Sequence, residues 1–164
     1  MILIDTSVYI GAAEDSSIEK LLEDISEKFF VQSCDIVERE INSSSEFLRR
    51  TDRKEESEKL KLIYEKIRKG TIRTSERISN LAQEYHKEAG RLSKQQHKDI
   101  KNDFLIVASA SVAGVKKVLS FNRKTMAAGS MVAVYQLVNG RYNYKTPAFL
   151  TTKEGLSVLL LQLL

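Results

Sequence analysis

The sequence predicts an α/β fold built on a parallel sheet, and three observations carry that expectation. Short apolar runs of strand length recur at Met1 to Ile4, Phe29 to Val31 and Val115 to Phe121. Between them lie longer stretches whose apolar residues repeat at helical intervals,. The first run stops abruptly at Asp5, Thr6 and Ser7, as a buried strand does where it leaves a sheet,. Strands that alternate with helices pair in parallel, because a crossover helix returns the chain to begin the next strand in the same direction.

Met1 to Ile4 is the first strand, and Asp5 to Ser7 reads as a polar turn. Ser16, Ser17, Ile18 and Glu19 have capping-box spacing, and Leu21, Leu22 and Ile25 follow on one face, which predicts a helix over 17–27,. After the strand at Phe29 to Val31, Asp35 and Glu38 form a second box ahead of Ile36, Val37, Glu40 and Ile41,. Asp52 to Glu55 opens a third helix bearing Leu60, Ile63, Tyr64 and Ile67, with a stop at Gly70,. Ile78, Leu81, Ala82, Tyr85 and Ala89 form a fourth pattern ending at Gly90, and the two charged helices together read as an inserted helical hairpin,. From Asp103 a stretch apolar on nearly every side predicts a buried helix ending near Gly114, ahead of the strand at Val115 to Phe121,. In the tail, Val132 to Val138 and Tyr142 to Tyr144 flank Asn139 and Gly140, which predicts a C-terminal β-hairpin,. Pro147 interrupts the chain, and Thr151 to Glu154 caps a last helix with Leu156, Leu159, Leu160 and Leu163,.

With 164 residues, 42% hydrophobic and 29% charged, the chain suits one domain over 1–164, with 127–164 as an extension of it,. Its apolar runs fall short of the roughly 20 residues of a membrane span, and no basic leader precedes Ile2, so no membrane association and a cytoplasmic location are expected,. Cys34 stands alone and the two histidines, His86 and His97, have no cysteine pairs beside them, which excludes an internal disulfide and a conventional zinc site,. Cys34 reads as a small buried hydrophobe, and both histidines as surface residues. The net charge of +4 hides an asymmetry, with 3 basic and 10 acidic side chains in the first 43 residues and 23 basic and 12 acidic after them. A basic excess over most of a chain suits a polyanionic partner.

Three acids sit against apolar segments, where a carboxylate is costly unless a cation neutralises it. Asp5 ends the first strand, Glu40 lies one place before Ile41 on the apolar side of its helix, and Asp103 opens the most apolar helix. Asn122 follows the strand at Val115 to Phe121. In a parallel sheet these positions converge on one crevice at the carboxyl ends of the strands. Oxygen donors alone suit Mg²⁺ or Mn²⁺ rather than zinc. Thr6, Ser7 and Ser120 place hydroxyls beside that crevice as ligand- or phosphate-binding candidates, and Arg123 and Lys124 place cations there for a bound strand.

Taken in order, residues 1–7, Ile36 to Ile41, Asp103 to Ala110 and Val118 to Arg123 resemble the four signature segments of PIN-domain proteins. The resemblance runs from Met1 to about Met126, and the tail with Asn139, Pro147 and Leu150 is similar to an extension of archaeal members. It implies a three-layer α/β/α fold and a ribonuclease dependent on Mg²⁺ or Mn²⁺, with Asp5, Asp103 and Glu40 as metal site and Asn122 where the family has its fourth acid. Glu38 is the alternative helical acid, and Asp99 a substitute charge for Asn122. RNA as substrate, a homodimer through helical surfaces and an antitoxin partner, as in VapC-like toxins, are implied as well. The departure at Asn122 keeps a second reading open, a non-catalytic RNA-binding or assembly module with a degenerate site.

Overall fold

The structure is a computed structural model and describes residues 1–92 and 100–161. In chain order the elements are β1 (Ile2–Ile4), α1 (Thr6–Glu14), α2 (Ser16–Lys28), β2 (Val31–Cys34), α3 (Asp35–Arg50), α4 (Lys54–Ile67) and β3 (Gly70–Ile72), then α5 (Glu76–Leu92), α6 (Lys101–Val112), β4 (Lys117–Leu119), α7 (Gly129–Arg141), β5 (Ala148–Leu150) and α8 (Lys153–Leu161). The five strands form one sheet in the order β3-β2-β1-β4-β5. Every pairing is parallel, with Ile2 opposite both Val31 and Lys117, Cys34 opposite Ile72 and Leu119 opposite Leu150. The central strand is apolar throughout because it is covered on both faces, and Ile2, Leu3 and Ile4 are all buried,.

The chain steps outward from β1 through β2 to β3, then returns past β1 to β4 and β5. Right-handed crossovers therefore put α1 to α4 on one face and α5 to α7 on the other, giving three layers. In keeping with this, α4 packs against α1, α2 and α3, and α5 packs against α6 and α7. The direction of winding reverses between β1 and β4, and at such a reversal a crevice opens beyond the carboxyl ends of the two strands. Asp5 and Ser120 lie there.

Several sequence-based expectations do not hold. The helical hairpin over 52–90 is not formed, because β3 lies between α4 and α5 and pairs with β2, sending the helices to opposite faces. The C-terminal β-hairpin is replaced by α7 and β5. Val132 to Val138 is a largely apolar run of strand length, but the apolar residues that bury are Met131, Val134, Tyr135 and Val138, at the three- and four-residue spacing of a helix,. Asn139 and Gly140 belong to the last helical turn, and the left-handed backbone falls at Asn143, with φ of 59°. Residues after Asp5 form α1 rather than a turn. Gly11 in that helix leaves room for Phe121, since a Cβ there would lie 3.0 Å from the ring. The cap of α2 is Asp15, which accepts the Ser17 N–H at 2.8 Å, and not Ser16. Leu163, assigned to the last helix, lies outside the described residues.

Candidate active site

Asp5 is the first residue past β1, and its N–H donates to the Leu119 carbonyl at 2.9 Å, so the backbone stays in the ladder while the side chain leaves it. Although Asp5 is the N-cap of α1, its carboxylate makes no capping bond. Its Oδ2 instead accepts from Ser7 Oγ at 2.6 Å and from Ser120 Oγ at 2.8 Å. Those hydroxyls accept in turn from the N–H groups of Phe121 and Asn122, at 3.0 and 3.1 Å. Ser7 and Ser120 thus fasten a 4% exposed carboxylate to the segment that follows β4.

Asp103 stands in the first turn of α6, where the positive end of the helix favours an anion,. It accepts from Asn122 Nδ2 at 3.2 Å and from the hydroxyl of Thr125. Asn122 Oδ1 faces the other way, accepting the Thr125 N–H at 3.2 Å. The amide therefore turns its N–H, not its oxygen, toward Asp103. Burial pushes the Asp103 carboxyl up to about 6, and the negative charges of Asp5 and Glu40 act in the same direction against the bonds from Thr125 and Asn122,.

Glu40 occupies the second turn of α3 with both oxygens engaged. Thr6 Oγ1 donates to Oε2 and Asn102 Nδ2 to Oε1, each at 2.6 Å. Glu38 is drawn away to Arg73 at 2.9 Å, and Asp35 accepts the N–H and hydroxyl of Thr74 at 3.0 and 2.6 Å, so the capping box read at these two residues does not form. Between the two candidate helical acids, the geometry brings Glu40 to the crevice.

Asp5, Glu40, Asp103 and Asn122 are thus drawn together by Thr6, Ser7, Ser120, Asn102 and Thr125. Among the described residues none of the three acids pairs with a Lys or Arg, in contrast to the surface acids Glu46, Glu56 and Glu65. Arg123 and Lys124 are exposed on the turn just after Asn122. His86 is exposed on α5, its ring 6.0 Å from that of Phe104. Burial pushes the Cys34 thiol up to about 12, which makes it an inert core group,. His97 and Asp99 lie outside the described residues.

Asn102 and Thr125 escaped the sequence reading. A signal for each exists in retrospect: Asn102 adjoins Asp103, and Thr125 follows Asn122 by three residues, the spacing of a local Asn–Thr turn.

No protein-family model matches the chain, and neither does any curated protein. Among solved structures it is similar to a chain in the crystal structure of VapBC2 from Rickettsia felis bound to a DNA fragment from their promoter. The two are 18% identical and superpose with a TM-score of 0.60 over 79% of this chain and 95% of that one. The fold is PIN-like. At that level of identity the likeness concerns architecture, so the chemistry of the PIN-like crevice has to come from its own residues.

Those residues fit a hard divalent cation in type. Asp5 and Asp103 present carboxylate oxygens whose charge no basic side chain among the described residues offsets, while Asn122 turns its N–H and not its oxygen toward them,. Among the described residues no three His, Cys, Asp or Glu side chains gather closely enough to hold an ion by themselves. Both oxygens of Glu40 accept bonds, from Thr6 and Asn102, and both of Asp103 accept from Asn122, whereas Oδ1 of Asp5 accepts none among the described residues.

Proposed function

We propose that this chain is a metal-dependent endoribonuclease with its site at Asp5, Glu40, Asp103 and Asn122. The observation that carries the proposal is a pair of unneutralised carboxylates, Asp5 and Asp103, facing one crevice at the winding reversal of a PIN-like sheet. Asp5 and Asp103 would hold Mg²⁺ or Mn²⁺, which would supply Lewis-acid polarisation of a phosphate oxygen and a water of lowered pKa. Asp5 is held rigid by Ser7 and Ser120, so its free oxygen Oδ1 keeps a fixed position. Glu40, fixed by Thr6 and Asn102, adds negative charge at the wall where a water proton must be accepted. Arg123 and Lys124, exposed on the turn after Asn122, would grip the phosphates of a single strand. A homodimer and an antitoxin partner belong to the same reading, the latter supported by the likeness to a chain of VapBC2.

The test is cleavage of a single-stranded RNA by the full chain. Cleavage with Mg²⁺ or Mn²⁺ is expected, with loss in EDTA and a drop of at least about a hundredfold for Asp103→Asn, the order of magnitude seen when an electrostatic catalytic group is removed. Activity that survives EDTA or Asp103→Asn excludes this chemistry. Calorimetric titration with Mn²⁺, comparing the chain with Asp5→Asn, separates the nuclease from a binding module: a module with a degenerate site takes up no ion in either form.

A further inference from the structure

Next to Glu40 the surface opens into a polar pocket of about 500 Å³. Thr6, Glu40 and Asn102 form the wall it shares with the crevice, and Arg39, Ser43 and Ser44 form the rest of its polar lining. Residues 39, 40, 43 and 44 lie on one side of α3 because they are separated by one, three and four places. The volume lies within the roughly 300–1,000 Å³ of small-ligand sites.

Two features show what the pocket lacks. Arg39 is exposed, and among the described residues its guanidinium makes one bond, from Nε to its own helix's Asp35 carbonyl at 3.3 Å. Arg50, Arg53, Arg68, Arg73, Arg91 and Arg141 form salt bridges, whereas Arg39, like Arg49, Arg77 and Arg123, forms none among the described residues, and its charge acts only at longer range on the Asp35 carboxylate. The hydroxyls of Ser43 and Ser44 are likewise unpartnered among the described residues, and Asn102, whose Nδ2 is given to Glu40, keeps its carbonyl oxygen as an acceptor. A planar cation, two hydroxyls and an amide oxygen beside a nuclease crevice match a phosphate, a ribose and a base edge.

We infer that this pocket binds the nucleotide adjoining the scissile phosphate of a single-stranded RNA, with Arg39 pairing to its phosphate and Ser43, Ser44 and Asn102 contacting its sugar and base. The inference rests on the nuclease reading for the direction of the strand. It is measurable without cleavage.

Binding of a fluorescein-labelled single-stranded RNA to the full chain in EDTA is followed by anisotropy over a salt series. Arg39→Ala should weaken binding about tenfold and reduce the slope of log affinity against log salt by about 0.7, the value for one lost phosphate contact on a single strand. Ser43→Ala should narrow the preference for RNA over DNA of the same sequence. Lys28→Ala, at the last residue of α2 ahead of the amino end of β2 and so at the end of the sheet opposite the crevice, should change neither. If Arg39→Ala binds with the affinity and salt slope of the wild type, or the wild type binds no RNA, the inference is overturned. Equal binding of RNA and DNA by the wild type overturns the assignment of Ser43 to the sugar. Cleavage by the wild type with Mn²⁺, measured alongside, keeps the two readings apart. Binding that depends on Arg39 without any cleavage sinks the nuclease and leaves the pocket; cleavage indifferent to Arg39 does the reverse.

Discussion

At the scale of single residues the crevice is governed by which atoms are left over once hydrogen bonds are assigned. Asn122 gives its N–H to Asp103 and its oxygen to Thr125, so it relieves the buried carboxyl while adding no charge for an ion. Asn122→Asp replaces that donor with a second carboxylate beside Asp103. Without metal the two like charges repel, and the melting temperature in EDTA should fall; with Mn²⁺ the added charge should tighten binding roughly tenfold, about 1.4 kcal/mol. Calorimetry and thermal melting of the two forms check both halves, and equal values in both conditions would place Asn122 outside the site. Asp5, Glu40 and Asp103 are legible in the sequence because each carboxylate adjoins an apolar run, where an unpaired charge is conspicuous. Asn102 and Thr125 are not, since amides and hydroxyls are common at helix starts and turns and need no partner to be tolerated there. What distinguishes them is the partner, across 62 residues for Asn102.

At the scale of elements, polar ties between helices decide how the far layer is assembled. Glu88 on α5 is buried and accepts from Arg141 on α7 at 2.8 Å, with Arg91 at 3.3 Å. Three residues earlier Tyr85 donates to Asn139 Oδ1 at 2.6 Å, and Asn139 donates onward to Ser111 on α6 at 3.1 Å. The Arg141 guanidinium holds the Glu88 carboxyl below the usual range. A group whose folded pKa is lowered binds protons more weakly in the native state, so its stabilisation is present above the ordinary carboxylate value and is lost as pH falls through the folded one. Glu88→Gln should therefore melt below the wild type at pH 7, and the gap should narrow as the pH falls below about 4, near the ordinary carboxylate range. A gap that stays constant across that range would show that the pair adds nothing electrostatic. This layer was the least legible part of the chain. Val132 to Val138 carries β-branched residues that favour strands in isolation, and only the packing of Tyr135 against Tyr85 and Phe104 decides for a helix,.

At the scale of the whole molecule the alternation of strands and helices is legible because the apolar runs Met1 to Ile4, Phe29 to Val31 and Val115 to Phe121 fall at β1, at the entry to β2 and across β4. Strand β2 itself starts at Val31 and continues through Gln32 and Ser33 to Cys34. The edge strands β3 and β5 are not legible, being three residues long and only partly buried, so neither length nor alternation marks them. Missing β3 also misplaced the apolar stripes of α4 and α5, which are buried within the chain at Leu60, Ile63, Ile67, Leu81 and Tyr85 rather than left for a second copy. The proposed homodimer must therefore be built from other surface, such as the exposed Phe47 or Leu62. Sedimentation at micromolar concentration should give about twice the 18.6 kDa chain mass; a mass that stays at one chain as concentration rises removes the dimer. The neighbouring residues Asn102 and Asp103 reach opposite walls of the crevice from a single helical turn, separated by about 100° of rotation,. Turning α6 about its own axis would press one side chain into its wall while pulling the other out, so the helix is locked against rotation by its two grips. A displacement of α6 that opens the crevice therefore also shifts the face it packs against α5, the helix that in turn carries α7.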